Sequence, residues 1–267
     1  MTTRTLYLSP RVTSTATALA AAAARRGIPS RTLHARRVPE EHRGDPGAAL
    51  YAGPLFADTV ARELGLELLE AHEDWLATLP YELTRRRIEC LAIGRARELR
   101  VPAFVKPPND KSFPAKIYFD GSRLPGPDAV DDDALVLVSD IVAFTAEFRL
   151  FVLDGEVVTG SRYAVHGEMD IAPLESDPRR AEALDFAARL FAPKVPALPS
   201  AVVVDVGTVD EGADGTAWAV VEANAAWASG HYACDSDAAL DVLLRAARPV
   251  ADPVDAPFLR PLPTVVG

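Results

Sequence analysis

At Ala103 the sequence changes from mixed helix and strand patterns to short apolar strands separated by turns. An Asp154-Gly155 pair lies between two of these strands and is typical of a tight β-hairpin. Several short apolar runs joined by turns predict an antiparallel sheet. The predicted strands span residues 103–106, 115–119, 135–139, 145–153, 156–163, 201–206 and 218–222. The second half of the chain is therefore predicted to consist mainly of antiparallel strands.

The first hundred residues have a pattern in which helices dominate. Residues 4–8 predict a buried strand, residues 14–26 an alanine-rich helix, and residues 32–34 a second strand. This β-α-β order predicts a parallel, layered lobe. A loop is expected at 39–47 and an extended tail from Pro249. Further helices are predicted at 56–64, 74–79, 82–99, 179–191 and 237–247. The fold class is therefore predicted to be α+β.

Composition argues against several classes of function. The net charge is −10 and the pI is near 5.0, so no dense basic face for duplex nucleic acid is expected. The two cysteines are too few for a disulfide scaffold and lack metal-ligand spacing. No apolar run reaches the ~20 residues of a membrane span. Pro10 and Arg11 interrupt any secretory signal around the alanine run at 16–24. A cytoplasmic location without membrane contact is expected.

Two lysines flank a polar loop in the middle of the chain. Lys106 ends one predicted strand and Lys116 lies on the next, so both ammonium groups could face one polyanion. The loop is not a Walker A motif, because the sequence contains no Gly-x4-Gly-Lys-Ser/Thr. A lysine at the end of a strand is also common as a surface residue whose ammonium group reaches water.

Charged residues also lie on the predicted hairpin. Glu147 and Arg149 are two residues apart on a strand, so both side chains share one face. The simpler interpretation is an ion pair across the sheet. The functional interpretation gives Glu147 a ribose hydroxyl and Arg149 a phosphate or carboxylate. Arg162, on the returning strand, could face the same cleft. The Arg85–Arg87 triplet is expected to be a solvated helix face, although one arginine could enter the cleft.

Acidic residues within two apolar strands form the most informative pattern. Asp205 interrupts residues 202–206, and Glu222 and Asn224 share one face of the following strand. Carboxylate and amide oxygens are the ligands that Mg²⁺ prefers. An unpartnered acid in an apolar strand is costly to bury, which favours a cleft or a cation. The alternative is that these side chains simply point to solvent.

The segment that follows is rich in small residues. Residues 225–232 include Ser229 and Gly230, which leave room for a substrate next to the predicted metal face. Trp227 and Tyr232 could line a pocket or belong to the core. His231 is only a weak candidate base, because isolated histidines are commonly structural.

In this order, the elements resemble the ATP-grasp superfamily. The resembling segments are FVKPPNDKSFPAKIY, VSDIVAFTAEFRLFVLDGEVVTGSRY, VVVDVG and VVEANAAWASGHY. They are most similar to the short clade that is named for two arginines and a lysine. The resemblance implies an ATP-grasp fold with an N-terminal α/β lobe (1–90), a small central lid lobe (91–142) and a C-terminal antiparallel-sheet lobe with a metal site (143–267). One departure is that the loop after Lys106 contains no glycine before Gly121, where such lids are usually glycine-rich.

The resemblance also implies roles for the candidate residues. ATP would lie against the two lysines and Glu147, one or two Mg²⁺ ions would bind the acids and the amide, and the arginines would stabilise an acyl phosphate or anchor a substrate carboxylate. The implied cofactor-binding residues are Lys106, Lys116, Val138, Ser139, Asp140, Ile141 and Glu147. The implied metal ligands are Asp205, Glu222 and Asn224. Catalytic roles fall to Lys106, Arg149 and Arg162, and substrate contacts to Arg149, Arg162, Trp227, Ser229 and Gly230.

The predicted function is ATP-dependent ligation of a carboxylate to an amine through an acyl phosphate. The substrates are expected to be amino acids or peptides, with a γ-glutamyl dipeptide as one product, because two cleft arginines suit a dicarboxylate. The alternatives are a modifier of a peptide or protein terminus and a non-catalytic ATP-binding module. The sequence leaves the oligomeric state open, with a homodimer as one option.

Overall fold

The computed structural model describes residues 4–109, 111–212 and 215–262. The N-terminal elements are β1 (Thr5–Leu8), α1 (Ser14–Arg25), β2 (Ser30–Thr32), β3 (Ala48–Tyr51), α2 (Pro54–Leu64) and β4 (Glu67–Leu68). The first three strands form a parallel sheet in the order β2-β1-β3. Thr13 caps α1, because its hydroxyl accepts from the Ala16 amide at 3.0 Å. The predicted β-α-β start is confirmed, and β3, which is fully buried, lies just after the segment predicted as a loop.

The central elements are α3 (Trp75–Thr78), α4 (Tyr81–Thr84), β5 (Ile88–Ala92), α5 (Ile93–Ala96), β6 (Ala103–Lys106), β7 (Lys116–Tyr118) and β8 (Leu135–Ser139). Their four strands form an antiparallel sheet in the order β5-β8-β6-β7. Ile93, Val105 and Val136 are fully buried in a small hydrophobic core that belongs to this central sheet.

The predicted helix over 82–99 is wrong. Helix α4 ends at Thr84 because Arg85 adopts a left-handed conformation, with φ of 53°. The chain then pairs β5 with β8 over five residues. Strand pairing has overridden the helix propensity of this segment. The predicted lobe boundary at residue 90 falls within β5.

The elements of the C-terminal half are β9 (Phe144–Leu153), β10 (Glu156–Val165), β11 (Glu168–Pro173), α6 (Arg180–Leu190), β12 (Ala201–Asp210), β13 (Thr216–Asn224), α7 (Ser236–Ala246) and β14 (Ala247–Arg248). Strands β9 to β13 form a five-stranded antiparallel sheet in the order β11-β10-β9-β12-β13. Short 3₁₀ helices are Glu40–His42, Gly121–Arg123, Leu174–Ser176, Ala226–Ala228 and Pro253–Phe258. The hairpin at Asp154-Gly155 is confirmed, with φ of 51° and 82°.

The two faces of the five-stranded sheet pack against different cores. Val202, Val204 and Val206 of β12 face a core with α3 and α6. Ala201 and Val203 face the opposite way, into a core shared with α7 and the N-terminal sheet. Asp205 lies on this second face by strand alternation. The sheet therefore carries Asp205 at the junction between the lobes.

The chain closes against its own N-terminal half. Strand β14 pairs with β4, and Arg260 binds Asp58 and Glu70. The expected extended tail contains the 3₁₀ helix Pro253–Phe258, and its last five residues, 263–267, lie outside the described residues. Among the described residues, no helix has the length and apolar character needed to cross a bilayer.

Candidate active site

Two adjoining cavities lie beside the central and C-terminal sheets, and the second also borders the N-terminal lobe at Ser14, Thr15 and Gly53. The first has a volume of about 450 Å³ and the second about 1140 Å³. Lys106 of β6 and Glu222 of β13 line both cavities. These two side chains form an ion pair, and both are largely buried. The ion pair therefore marks the point where the two cavities meet.

The first cavity is mainly apolar with a charged rim. Leu76, Phe104 and Phe144 contribute to its walls. The sequence-predicted residues that line it are Lys106, Lys116, Ser139, Asp140, Ile141 and Glu147. The side chain of Val138 packs instead against the core of the central sheet, since alternation along β8 turns it away from the cavity. The predicted hinge thus reaches the cavity through Ser139, Asp140 and Ile141.

Four charged residues and one amide form a network at the edge of the second cavity. The Arg149 guanidinium donates to both oxygens of Asp205, from Nε at 2.8 Å and from Nη2 at 2.7 Å. The Asn224 amide donates to Asp205 at 3.2 Å and to Glu222 at 3.1 Å. Asn224 therefore links the Arg149–Asp205 pair to the Lys106–Glu222 pair. The three predicted metal ligands lie together.

Strand register explains why these side chains meet. Asp205 is the partner of Arg149 on β9 and of Glu222 on β13. Asp205 is 2% exposed, so its charge is neutralised within the protein. Burial lowers the pKa of Arg149, but the charge and hydrogen bonds of Asp205 outweigh burial and hold that pKa above its ordinary value. Arg149 is therefore a permanent cation.

Two tyrosines cover Arg149: Tyr232, which was predicted to line a pocket or belong to the core and lines the second cavity, and Tyr163, for which the sequence predicted no role. Tyr163 and Tyr232 stack with ring centroids 5.0 Å apart. The Arg149 guanidinium carbon lies 5.1 Å from the Tyr232 ring centroid and 5.8 Å from that of Tyr163. The Tyr163 hydroxyl donates to Glu147 at 2.7 Å. The tyrosines hold Arg149 and Glu147 in fixed positions.

Glu147 is a partly buried carboxyl beside two others. Burial raises the pKa of Glu147, the Tyr163 hydrogen bond opposes this increase, and the charges of Asp205 and Glu222 add to it.

Gly207 lies opposite Glu147 on β12. A Cβ atom at Gly207 would lie 2.6 Å from Phe144 Cδ1, so only glycine fits without a shift of the chain.

Arg162 does not face the cleft, contrary to the sequence prediction. It pairs with Phe148 across the hairpin, and Phe148 points into the α6 core. Alternation therefore places Arg162 on the face away from Arg149. Its guanidinium binds Asp177 and Asp170. Tyr163, the next residue along the strand, lies on the cleft side instead.

The segment after β13 supplies part of the second cavity, but not through its tryptophan. Trp227 is fully buried, and its indole donates to the Leu69 carbonyl at 2.9 Å. The prediction of a substrate contact at Trp227 is therefore wrong, since the side chain belongs to the core. Ser229 and Gly230 line the cavity, and the Gly230 carbonyl accepts from Arg149 at 3.1 Å. His231 binds the Thr15 hydroxyl.

The Arg85–Arg87 triplet is not a solvated helix face. Arg86 is 7% exposed and lines the first cavity. Its guanidinium lies 5.4 Å from the Phe144 ring centroid. Burial lowers its pKa to about 10. The alternative interpretation, in which one arginine enters the cleft, describes Arg86.

The donors fit a hard divalent cation in chemical type. Asp205 and Glu222 offer carboxylate oxygens, and the Asn224 side chain, whose amide nitrogen contacts both, carries an amide oxygen that rotation of the amide would bring to a cation. No cluster of three or more His, Cys, Asp or Glu side chains that could hold a metal exists in residues 4–109, 111–212 and 215–262. Two carboxylates and an amide leave coordination positions for phosphate and water, as is usual for Mg²⁺.

A sequence profile decides the family. It describes an ATP-grasp domain, family 2 of the clade named for two arginines and a lysine, and it matches residues 83–242. The chain belongs to this ATP-grasp family. The predicted superfamily and clade are confirmed, and the fold is the α+β ATP-grasp fold. No curated protein matches the sequence.

One solved structure above a TM-score of 0.5 agrees with the ATP-grasp fold. The chain is similar to D-alanine–D-alanine ligase from Bacillus anthracis, with a TM-score of 0.51 and 14% identity over 91% of this chain and 97% of that one. It is also similar to ATP-grasp ligase PsnB complexed with minimal precursor (TM-score 0.49, 15% identity, 91% and 99% covered). A third is the RimK domain ATP-grasp protein from Sphaerobacter thermophilus (TM-score 0.44, 15% identity, 90% and 98% covered).

Proposed function

We propose that this ATP-grasp protein uses ATP to join a carboxylate to an amine. The observation that carries the proposal is the Lys106–Glu222 ion pair, which stands where an apolar cavity opens into a larger polar one. Such a junction suits a nucleotide whose base lies in the first cavity and whose phosphates reach the second. The polar cavity then holds the groups that react with the terminal phosphate.

The first cavity suits an adenosine. Its apolar walls match a purine, and Glu147 at the rim is placed to accept hydrogen bonds from ribose hydroxyls. Lys106 supplies positive charge toward the phosphates. Lys116 also lines the cavity, but it pairs with Val105 of the central core, so strand alternation directs its side chain to the other face of the sheet. Ser139, Asp140 and Ile141 are the predicted hinge residues at the wall. Lys116 also lies 5.0 Å from the Tyr118 ring centroid, which limits where its ammonium group can reach.

Asp205, Glu222 and Asn224 are proposed to hold Mg²⁺ when nucleotide is bound. The ion supplies charge neutralisation on the phosphates. Lys106 and Arg149 currently neutralise these carboxylates, and both cations lie beside the expected phosphate path. We propose that each exchanges part of its carboxylate contact for phosphate oxygens.

The proposed reaction has two steps. A substrate carboxylate oxygen attacks the terminal phosphorus of ATP, and ADP leaves. The amine nitrogen of the second substrate then attacks the acyl carbon, phosphate leaves, and the nitrogen loses a proton. Arg149 is placed to stabilise the acyl phosphate, because its guanidinium faces the second cavity. Positioning and charge stabilisation supply most of the rate enhancement.

The substrate assignment depends on which cations face the second cavity. The γ-glutamyl hypothesis assumed two cleft arginines, but Arg162 lies on the other face of the sheet. Arg11 and Lys111 also line the cavity and are the remaining candidates for binding a second carboxylate. We therefore keep an amino acid or peptide as the substrate class and give a dicarboxylate no preference.

The cavity also favours a second candidate, a modifier of peptides. Its volume of about 1140 Å³ exceeds the roughly 300–1,000 Å³ that is usual for small-molecule sites. Met169 and Ile171 of the edge strand β11 line it, although they are 77% and 46% exposed. An extended peptide could cover these apolar side chains. The three lobes predicted from the sequence remain our proposed division of the chain, with the first boundary before β5 and not at residue 90.

The test is ADP release with ATP, Mg²⁺ and panels of amino acids and short peptides. The proposal predicts ADP formation that requires both an acid and an amine. Turnover with peptides but not with free amino acids supports the second candidate. If no pair stimulates ADP release, the ligase proposal fails. Nucleotide binding without turnover would support a non-catalytic ATP-binding module.

A further inference from the structure

Arg86 is a buried cation that the nucleotide and substrate assignments do not use. Within the described residues it forms no ion pair with a carboxylate, and its guanidinium donates to three backbone carbonyls. Burying a charge without a counter-charge is unfavourable unless hydrogen bonds compensate. A side chain held at this energetic cost needs a structural purpose.

Two of the three carbonyls belong to consecutive residues of β13. Nη1 donates to Val220 at 2.8 Å and Nη2 donates to Val221 at 3.0 Å. The third bond runs from Nη1 to Thr84 at 3.0 Å and fixes the guanidinium against the end of α4. One planar group therefore ties α4 to two adjacent peptide units of β13.

These peptide units flank a β-bulge. Val206 pairs with Val220 while Asp205 pairs with Glu222, so Val221 is an extra residue without a partner on β12. Val220 faces the α6 core with Val206. In a regular strand Glu222 would face the same core, because side chains two apart share a face. The bulge instead turns Glu222 to the cleft beside Asp205.

We infer that Arg86 is a positioning residue that holds the Val221 bulge and thereby keeps Glu222 and Asn224 on the face of Asp205. This inference rests on the proposed function only in what it assigns to Glu222, since the bulge itself is a property of the fold. Arg86 binds the backbone of β13, and its charge also acts on Glu222 across the first cavity, which both residues line.

Arg86 could alternatively act by contacting the nucleotide directly, since it also lines the first cavity. The two roles predict different losses. A direct contact stabilises nucleotide whether or not Mg²⁺ is present. A clamp on the bulge affects only the interactions that depend on Glu222 and Asn224, so it affects the gain in nucleotide affinity that Mg²⁺ provides.

The experiment is calorimetric titration of ADP, with and without Mg²⁺, into wild-type protein and Arg86→Met. Loss of an outer-shell residue typically weakens metal binding by about 10- to 100-fold. We expect the Mg²⁺-dependent gain in ADP affinity to fall by about 10-fold or more, with Mg²⁺-free affinity changed less than about 3-fold. Arg87→Met is the matched control, because Arg87 is the exposed neighbour, and it should retain the wild-type gain.

A cycle with Glu222→Gln shows whether Arg86 acts through Glu222, and amide exchange then distinguishes the backbone clamp from the effect of its charge. If Arg86 acts through Glu222, Arg86→Met should change the Mg²⁺-dependent gain little in the Glu222→Gln background. Equal losses with and without Mg²⁺, or an unchanged gain, would overturn the inference. If Arg86→Met does not fold, Arg86→Lys replaces it, because lysine keeps the charge but lacks the planar pair of donors.

Amide hydrogen exchange tests the clamp without any ligand. Arg86→Met should speed exchange at residues 219–224 and leave the β6–β7 hairpin unchanged. Unchanged exchange at 219–224 would contradict the clamp. If wild-type protein binds no Mg²⁺–ADP, the proposed function fails, while exchange still decides whether Arg86 holds the bulge.

Discussion

Lys106 and Glu222 form an ion pair between the central sheet and the C-terminal sheet. The lysine ends β6 and the glutamate follows the bulge of β13, so the pair spans two lobes of the ATP-grasp fold. Asn224 connects it to the buried Arg149–Asp205 pair. The proposed catalysis depends on this network of Lys106, Glu222, Asn224, Arg149 and Asp205.

Glu222→Gln should abolish turnover and leave the fold intact. The amide keeps the shape of the side chain but removes the charge that Lys106 and a cation share. We expect ADP release to fall by about 100-fold or more, as for loss of a group that stabilises charge in the transition state. Glu89→Gln, on the exposed side of β5, is the control and should keep wild-type turnover. A Glu222→Gln enzyme with normal turnover would contradict the assignment of this carboxylate.

Arg149→Met should destabilise the protein because Asp205 would remain buried without its cation. Removing one partner of a buried ion pair typically costs about 3–5 kcal/mol of unfolding free energy. Urea denaturation of Arg149→Met, Asp205→Asn and the double variant measures this cost. We expect the double variant to be more stable than the sum of the two single losses predicts. If the two single losses of unfolding free energy simply add in the double variant, Arg149 and Asp205 do not stabilise each other.

The Lys106–Glu222 pair should make stability depend on pH in the acid range. Burial raises the pKa of Glu222, but Lys106 and the Asn224 hydrogen bond outweigh it, and the folded pKa lies below the ordinary value. The unfolded state therefore binds a proton first, at a pKa of about 4.3. The stabilisation is present above that pH and is lost as pH falls through the folded pKa. Unfolding free energies measured from pH 6 to 3 should fall less steeply in Glu222→Gln than in wild type.

Gly207→Ala should destabilise the sheet at the point where it faces Glu147. The new methyl group would lie 2.6 Å from Phe144 Cδ1 and 2.7 Å from the Ala146 carbonyl oxygen. Overpacking of this kind typically costs about 1–3 kcal/mol. Gly53→Ala is the control, because a Cβ atom there meets nothing within 4 Å and φ is −66°. Thermal unfolding should separate the two variants, and equal midpoints would contradict the clash.

Cys234 should be inert in the folded protein. Burial raises the pKa of its thiol to about 12, with the nearby Arg149 charge opposing the increase. At pH 8 only about one thiol in ten thousand would be ionised, and the thiolate is the reactive form. Iodoacetamide followed by mass spectrometry should label Cys234 only after denaturation. Rapid labelling of the native protein at Cys234 would show that the helix α7 region opens readily.

Strand periodicity in the sequence predicts most of the site. Spacing of two residues placed Glu222 with Asn224 and Glu147 with Arg149 on shared faces, and the structure has both arrangements. The same rule did not place Arg162, because its face depends on which core residue it pairs with across the hairpin. Alternation along a single strand gives relative faces but not which face is the cleft.

The remaining differences arise from tertiary packing. Arg86 lies in a charged triplet typical of a solvated helix, yet the turn at Arg85 and the carbonyls of β13 draw it inward. Trp227 follows the metal-face strand closely but is buried through its bond to Leu69. Neither contact has a local sequence signal, since the paired residues are 134 and 158 positions apart.

The most direct test of the central claim is a crystal structure with a non-hydrolysable ATP analogue and Mn²⁺, read by anomalous scattering. Our account predicts the base in the cavity beside Phe144 and a Mn²⁺ peak in contact with Asp205, Glu222 or Asn224, with Lys106 and Arg149 turned toward the phosphates. A nucleotide bound elsewhere, or a metal that none of the three side chains touches, would contradict it.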